Sequence, residues 1–203
     1  MAKILVIDAE TTGLPSKSRE LTDPAQPHLV ALSALQYDSG EQRVLQSMSK
    51  VVYPEDWESH PDALAVHGLT TEYCLKYGRS EGEVTAELLH LWNDGEFEVV
   101  AHNCAFDGHI LAIAIARHFG ASATLTKWLT APTFCTMQSA KPIVQAQTKP
   151  DARTGKTRIK NPNLSEAYEF FMGKPLERHH SANMDCLAAL QIWNALQNYQ
   201  DGE

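Results

Sequence analysis

The chain has 203 residues, a formal net charge of −8, and 43% hydrophobic against 21% charged residues. That length suits a single domain spanning 1–203 and leaves little for a second core. No apolar run reaches the ~20 residues of a bilayer span, and the four cysteines form no Cys-x-x-Cys pair. A membrane partner, a disulfide framework and a zinc framework are therefore not expected, and a cytoplasmic location is.

Lys3 to Ile7 is short, apolar and rich in β-branched residues, which predicts a strand buried on both faces. It runs into Asp8-Ala-Glu10-Thr-Thr-Gly13, and two acids that far apart at a strand end fall on one face. His28 to Tyr37 and Val44 to Tyr53 read as further strands turned by Asp38-Ser-Gly40, giving an antiparallel meander. Pro61 to Val66 predicts a short helix stopped near Gly68, and Ser80 to Trp92 a longer one closed by Asn93-Asp-Gly95.

Val99-Val100-Ala101 predicts a buried strand leading into His102-Asn-Cys-Ala-Phe-Asp107. Asn103 is the expected N-cap of a helix in which Phe106, Ile110, Ile113 and Arg117 recur at helical spacing up to Phe119. Thr133 to Thr136 reads as a short strand followed by a helix. The stretch from Lys127 to Pro162 holds four prolines and most of the basic residues nearby, and is expected to be the most mobile loop. Asn163 with Glu166 three residues on is a capping-box start to a helix ending at Gly173. Ser181 is expected to cap a last helix striped by Ala188, Ile192, Leu196 and Tyr199, with His180 just before it and Asp185 in its first turn. The order β-β-β-α-α-β-α-β-α-α gives an α/β fold, a mixed central sheet flanked by helices.

Taken one at a time, the acids have ordinary explanations. Asp107 and Asp185 are helix-start acids favoured by the backbone dipole, and Phe106 is a core residue. Taken together, Asp8, Glu10, Asp107 and Asp185 cannot share a pocket without cations, and the chemistry that calls for a pair of divalent ions is phosphodiester hydrolysis. Mg²⁺ and Mn²⁺ suit such oxygen donors. His180, titrating near neutrality beside a carboxylate, is the candidate general base. The His179-His180 pair has no neighbouring thiols and does not read as a zinc site.

Asp8-x-Glu10-Thr-Thr-Gly, His102-Asn-x-x-Phe-Asp107 and His180-x-Ala-x-x-Asp185 resemble, in order and spacing, the three motifs of the DEDDh branch of 3′–5′ exonucleases. That family includes the proofreading epsilon subunit of bacterial DNA polymerase III and exodeoxyribonuclease X. The resemblance implies a ribonuclease H-like fold and two Mg²⁺ or Mn²⁺ ions held by Asp8, Glu10, Asp107 and Asp185, with His180 as base. It also implies that Ala65-Val66-His67-Gly68-Leu69-Thr70 lines a terminal-nucleotide pocket. His67, Thr11, Leu14 and Phe106 are then candidate substrate contacts. The implied reaction is release of nucleoside 5′-monophosphates from the 3′ end of a single-stranded nucleic acid. Cys135-Thr136-Met137 resembles a tract of the DNA-directed members and favours DNA over RNA. The alternatives are a 3′–5′ exoribonuclease and a non-catalytic nucleic-acid-binding module, although all five catalytic positions are filled. Replication or repair proteins are the expected class of partner, with none identifiable. The absence of a long segment after the last helix favours a free-standing trimming nuclease.

One segment stands apart. Lys141, Lys149, Arg153, Lys156, Arg158 and Lys160 face a single acid, Asp151, so 141–160 carries +5 and the rest of the chain −13. Gly155-Lys156-Thr157 is not a P-loop, because the glycine required five positions earlier is Pro150. Basic residues on such a loop suit the phosphate backbone of a single strand; a solvated loop is the alternative.

Overall fold

Strand β1 (Lys3–Thr11) pairs antiparallel with β2 (Leu29–Asp38) on one side and parallel with β4 (Glu98–Ala101) on the other. Strands β3 (Arg43–Val51) and β5 (Thr133–Cys135) complete a five-stranded sheet in the order β3-β2-β1-β4-β5. The antiparallel meander and the mixed α/β sheet expected from the sequence are both present. This computed structural model describes residues 2–151, 153–177 and 182–200. His180 and Ser181 lie outside them, as does His179.

The strand period sorts β1 between two cores. Leu5, Ile7 and Ala9 face Val84 and Leu88 of α3 (Glu81–Trp92), Ile110 and Ala114 of α4 (Cys104–Phe119), and Trp128 of α5 (Ala123–Thr130). Ile4 and Val6 face the other way, onto Cys186, Ala189, Leu190 and Trp193 of α8 (Ala182–Gln200). Helices α6 (Thr136–Val144) and α7 (Leu164–Met172) pack on α8 through Ala140, Ala167, Tyr168 and Ile192. Both faces of β1 are thus covered, and the acids that extend it inherit fixed directions.

Four differences from the sequence reading have local causes. Helix α2 (Thr71–Tyr77), which follows α1 (Pro61–His67), and helix α5 are too short to show a hydrophobic period. Their legible signals were caps: Thr70 Oγ1 accepts from the Tyr73 amide at 3.2 Å and Ser122 Oγ from the Leu125 amide at 3.2 Å. The stretch from Lys127 to Pro162 is not one loop. It holds the end of α5, then β5 and α6, and residues 141–144 of the basic segment belong to α6. Asn103 occupies the N-cap position of α4 but in the left-handed region, φ 92°, with no side-chain cap. The Cys135 sulfur accepts from the amides of Asn103 and Cys104 instead. The capping box is as expected, with Asn163 Oδ1 accepting from the Glu166 amide and Glu166 Oε2 from the Asn163 amide, both at 2.8 Å.

One asymmetry in the sheet makes room for chemistry. The β1–β4 ladder joins only Ile4–Val6 to Glu98–Val100, whereas β1 runs on to Thr11. Past Val6 the β4 side of β1 is an open notch at the carboxyl end of two parallel strands, the usual place for a site in such sheets. Among the described residues, no helix is long and apolar enough to cross a membrane.

Candidate active site

Asp8 and Glu10 extend the face of β1 that Ile4 and Val6 bury against α8, so they point toward the start of that helix, where Asp185 sits in the first turn. Cys186 pins this junction by donating its thiol to the Val6 carbonyl at 3.1 Å. One carboxylate oxygen from each of Asp8, Glu10 and Asp185 lies within 4.8 Å of the others. Asp107 enters from the first turn of α4 and is 4% exposed. Its Oδ1 accepts the Ala9 amide at 3.1 Å, a donor lying past the last rung of the β1–β4 ladder. All four carboxylates line one cleft of about 290 Å³, with Asn103, Phe106 and the Asn163–Ser165 wall around them.

Among the described residues, the cleft lining contains no lysine or arginine beside the carboxylates. At the separations of Asp8, Glu10 and Asp185, each pair of ionised groups repels by ~3–4 kcal/mol with an effective dielectric of about 20. Burial, and then the charges of Asp107, Asp185 and Glu10, hold the Asp8 carboxyl well above the ordinary range. Burial and Asp185 push Glu10 up to about 7. Asp107 is pushed up to about 8 by burial, against the pull of the Ala9 amide. Acids this close and this dry either keep protons or take up cations. Carboxylate oxygens are hard donors suited to Mg²⁺ or Mn²⁺, and the set present fits such ions.

His102 opens the second motif yet is a brace. Its Nδ1 lies 3.0 Å from Thr136 Oγ1 and its Nε2 3.1 Å from the Pro162 carbonyl. Burial lowers its pKa. In the neutral ring Nε2–H donates to Pro162 and Nδ1 accepts from Thr136. The end of β4 is thereby tied to α6 and to the approach to α7.

A second cleft of about 710 Å³ adjoins the first and shares Ala9, Glu10 and Phe106 with it. Thr11, Leu14, His67 and Phe106, the four substrate contacts expected from sequence, all line it. Thr11 is buried and donates its hydroxyl to the Gly13 carbonyl at 2.8 Å, shaping the turn rather than facing outward. Leu14 stands at the rim, 86% exposed. His67 is buried, and its Nδ1 accepts the Leu69 amide at 3.0 Å. Burial lowers its pKa, so the ring is neutral and carries its proton on Nε2. That buried Nε2 has no partner among the described residues, leaving a donor for whatever enters.

Sequence reasoning missed what holds the far wall. Glu81, 3% exposed, accepts from the Leu29 amide at 2.8 Å, Arg117 Nη1 at 2.9 Å, and the rings of His118 and His28 at 2.8 and 3.2 Å. Arg117 Nη2 also donates to the carbonyls of Gln26 and Pro27, both at 3.1 Å, and both residues line the second cleft. An arginine on the apolar stripe of α4 was the visible sign of this network.

The sequence profile of the RNase T exonuclease family matches residues 5–193. Curated protein sequences yield no match. Among solved structures, Escherichia coli exonuclease I in complex with a dA16 oligonucleotide superposes with a TM-score of 0.70 at 18% identity, covering 98% of this chain and 41% of that one. The zinc-bound form of the E. coli exonuclease I–single-stranded DNA complex gives 0.72 at 18% identity, over 98% and 41%. Exonuclease I from Methylocaldum szegediense gives 0.69 at 16% identity, over 99% and 41%. At these identities the likeness is one of fold, and the chain spans about 41% of the length of those enzymes.

Proposed function

The chain belongs to the exonuclease family, and from that premise we propose that it removes nucleoside 5′-monophosphates from the 3′ end of single-stranded DNA. One observation carries the reading: four carboxylates, two buried and two half-buried, converge in a cleft that opens onto a second cleft with room for one nucleotide. The DNA strand held by E. coli exonuclease I supports the choice of substrate.

In this reading the terminal nucleoside enters the second cleft. Phe106, shared by both clefts, offers a ring at the boundary, and His67 Nε2–H donates to an oxygen of the nucleotide. The last phosphodiester then lies over the carboxylates. Asp8, Glu10, Asp107 and Asp185 would hold two Mg²⁺ or Mn²⁺ ions, which when bound stabilise charge on the attacking and leaving oxygens. His180 takes the proton of the attacking water, the role the family resemblance gives it. The P–O3′ bond breaks, the nucleotide leaves as a 5′-monophosphate and the shortened strand keeps a 3′-hydroxyl. A cytoplasmic setting is part of the same reading, supported by four free cysteines.

The test is digestion of matched 5′-labelled DNA and RNA oligonucleotides, single- and double-stranded, with Mg²⁺ or Mn²⁺. The expected result is a ladder on single-stranded DNA that shortens from the 3′ end and disappears with chelator or in Asp8→Ala. Cleavage confined to RNA would select the exoribonuclease reading. Binding without cleavage of any substrate would select the non-catalytic module.

A further inference from the structure

Beyond α6 the chain forms two hydrogen-bonded arms. The Thr148 amide donates to the Arg158 carbonyl at 2.9 Å, the Lys160 amide to the Ala146 carbonyl at 2.8 Å, and Gln147 bridges Ile159. At the tip, the Asp151 amide donates to the Lys156 carbonyl at 3.0 Å. The Asp151 carboxylate accepts from the amides of Arg153 and Thr154 at 3.1 and 2.8 Å and from the Thr154 hydroxyl at 2.8 Å. The one acid of the segment is engaged by the backbone of the turn, so it shapes the hairpin without neutralising it.

The cations are left over. Lys149, Arg153, Lys156 and Arg158 are exposed, and among the described residues none of them makes an ion pair. Elsewhere the described arginines all do: Arg19 with Asp23, Arg43 with Glu41, Arg79 with Glu87 and Arg117 with Glu81. The root of the hairpin is fixed. Lys160 pairs with Glu166, and the Pro162 carbonyl accepts from His102. The next three residues, Asn163 to Ser165, are a wall of the carboxylate cleft.

The two clefts share Glu10 and Phe106; the pocket of Thr11, Leu14 and His67 lies on one side of them, and the wall at Asn163 on the other. A strand whose last nucleotide fills the pocket, with its phosphodiester over the carboxylates, leaves toward the wall where the hairpin is rooted. A chain of net −8 also needs a local positive surface to hold a polyanion. We propose that the hairpin of residues 146–160 is a sequence-independent binding arm for the phosphodiester backbone of the nucleotides 5′ to the scissile bond. This rests on the exonuclease reading above and adds to it a second, extended substrate contact.

The test compares Lys149→Gln/Arg153→Gln/Lys156→Gln/Arg158→Gln with a control of equal charge change placed elsewhere, Lys17→Gln/Lys76→Gln/Lys127→Gln/Lys174→Gln. KM and kcat are measured on oligo(dT) of 3 to 20 nucleotides and on duplexes with a 3′ overhang across a salt series, beside thermal melting. In the hairpin variant the penalty in KM is expected to grow with length, reaching about tenfold or more on the 20-mer with kcat little changed. The slope of log KM against log salt is expected to flatten by ~0.7 for each phosphate that the arm no longer neutralises. The control is expected to stay within about twofold of wild type on the 20-mer, and all three proteins to melt alike. Four results overturn the arm: an unchanged KM and slope, an equal loss on the trimer and the 20-mer, an equal loss in the control, or a loss seen only on duplexes with a 3′ overhang. The last would assign the hairpin to duplex DNA. Inactivity of the wild-type protein on every oligonucleotide overturns the exonuclease reading itself, and is distinguishable from all four.

Discussion

Burial, and then mutual repulsion, raises the carboxyls of Asp8, Glu10 and Asp107 and sets how the metal-free protein responds to pH. Their folded-state pKa values stand above the ordinary 3.8 or 4.5, with Glu10 near 7 and Asp107 near 8. The folded state therefore binds protons more tightly than the unfolded chain. Its stability from these groups is full below about pH 4 and is lost as pH rises toward 8. In chelator, Tm is expected to fall between pH 5 and pH 8, and Mn²⁺ to restore it with release of protons. Removing one charge should show the same sign: Glu10→Gln is expected to melt higher than wild type in chelator at pH 8 and lower in Mn²⁺. Its activity should drop by more than the ~10–100-fold typical of losing an outer partner of a metal ligand. A Tm in chelator that rises with pH and ignores Mn²⁺ would contradict this account. At this scale the acids were legible because their spacing sits at element ends. His102 was legible only as part of a motif, since its brace to Pro162 spans 60 residues of sequence.

Elements decide how firmly those residues are held. Helix α7 begins at the cleft wall, and its box of Asn163 and Glu166 satisfies backbone donors that the first turn leaves unpaired. Asn163→Ala is expected to cost about 1 kcal/mol, a fall in Tm of ~2–4 °C for a chain of this size, readable by calorimetry. It should also loosen Leu164 and Ser165 and so lower turnover on DNA; a Tm equal to wild type would show the cap is idle. This helix could be read from sequence because its cap is local, four residues from end to end. The start of α4 could not. Its amides are taken by a sulfur 32 positions away from Asn103, and the Cys135 thiol is pulled down to about 5, first by the Cys104 thiol and then by the Gln138 amide and those two, against burial. Residue propensity identifies Asn103 as a cap; only the β5–α4 contact reveals what replaces it.

Over the whole molecule the buried charges act in opposite directions on the pH axis. Burial alone would raise Glu81, but hydrogen bonds from His28 and the Leu29 amide, with Arg117 and His118, hold it down to about 2. Its stabilisation is present above its ordinary 4.5 and is lost as pH falls toward 2, whereas the cleft acids lose theirs as pH rises. The metal-free protein is thus expected to be most stable at about pH 4–5, where Glu81 is ionised and the cleft acids still hold their protons. Glu81→Ala leaves the half-buried Arg117 without its counter-charge and the Leu29 amide without its acceptor, and is expected to cost ~3–5 kcal/mol. Denaturant unfolding checks this, and a loss under about 1 kcal/mol would mean that the network is not a keystone. Arg117 on the apolar stripe hinted at a buried partner, but which one could not be read along the chain, because Glu81 meets Arg117 across 36 residues. The meander and the mixed sheet followed from strand and helix order, but polar contacts between distant segments do not announce themselves in a period. One such contact reaches furthest: Cys186 to Val6, 180 residues apart, where the last helix closes on the first strand. Until that helix emerges and docks, Asp8 and Glu10 have no Asp185 to complete the cage. The carboxylate set, and any chemistry that depends on it, therefore forms only when α8 packs against β1.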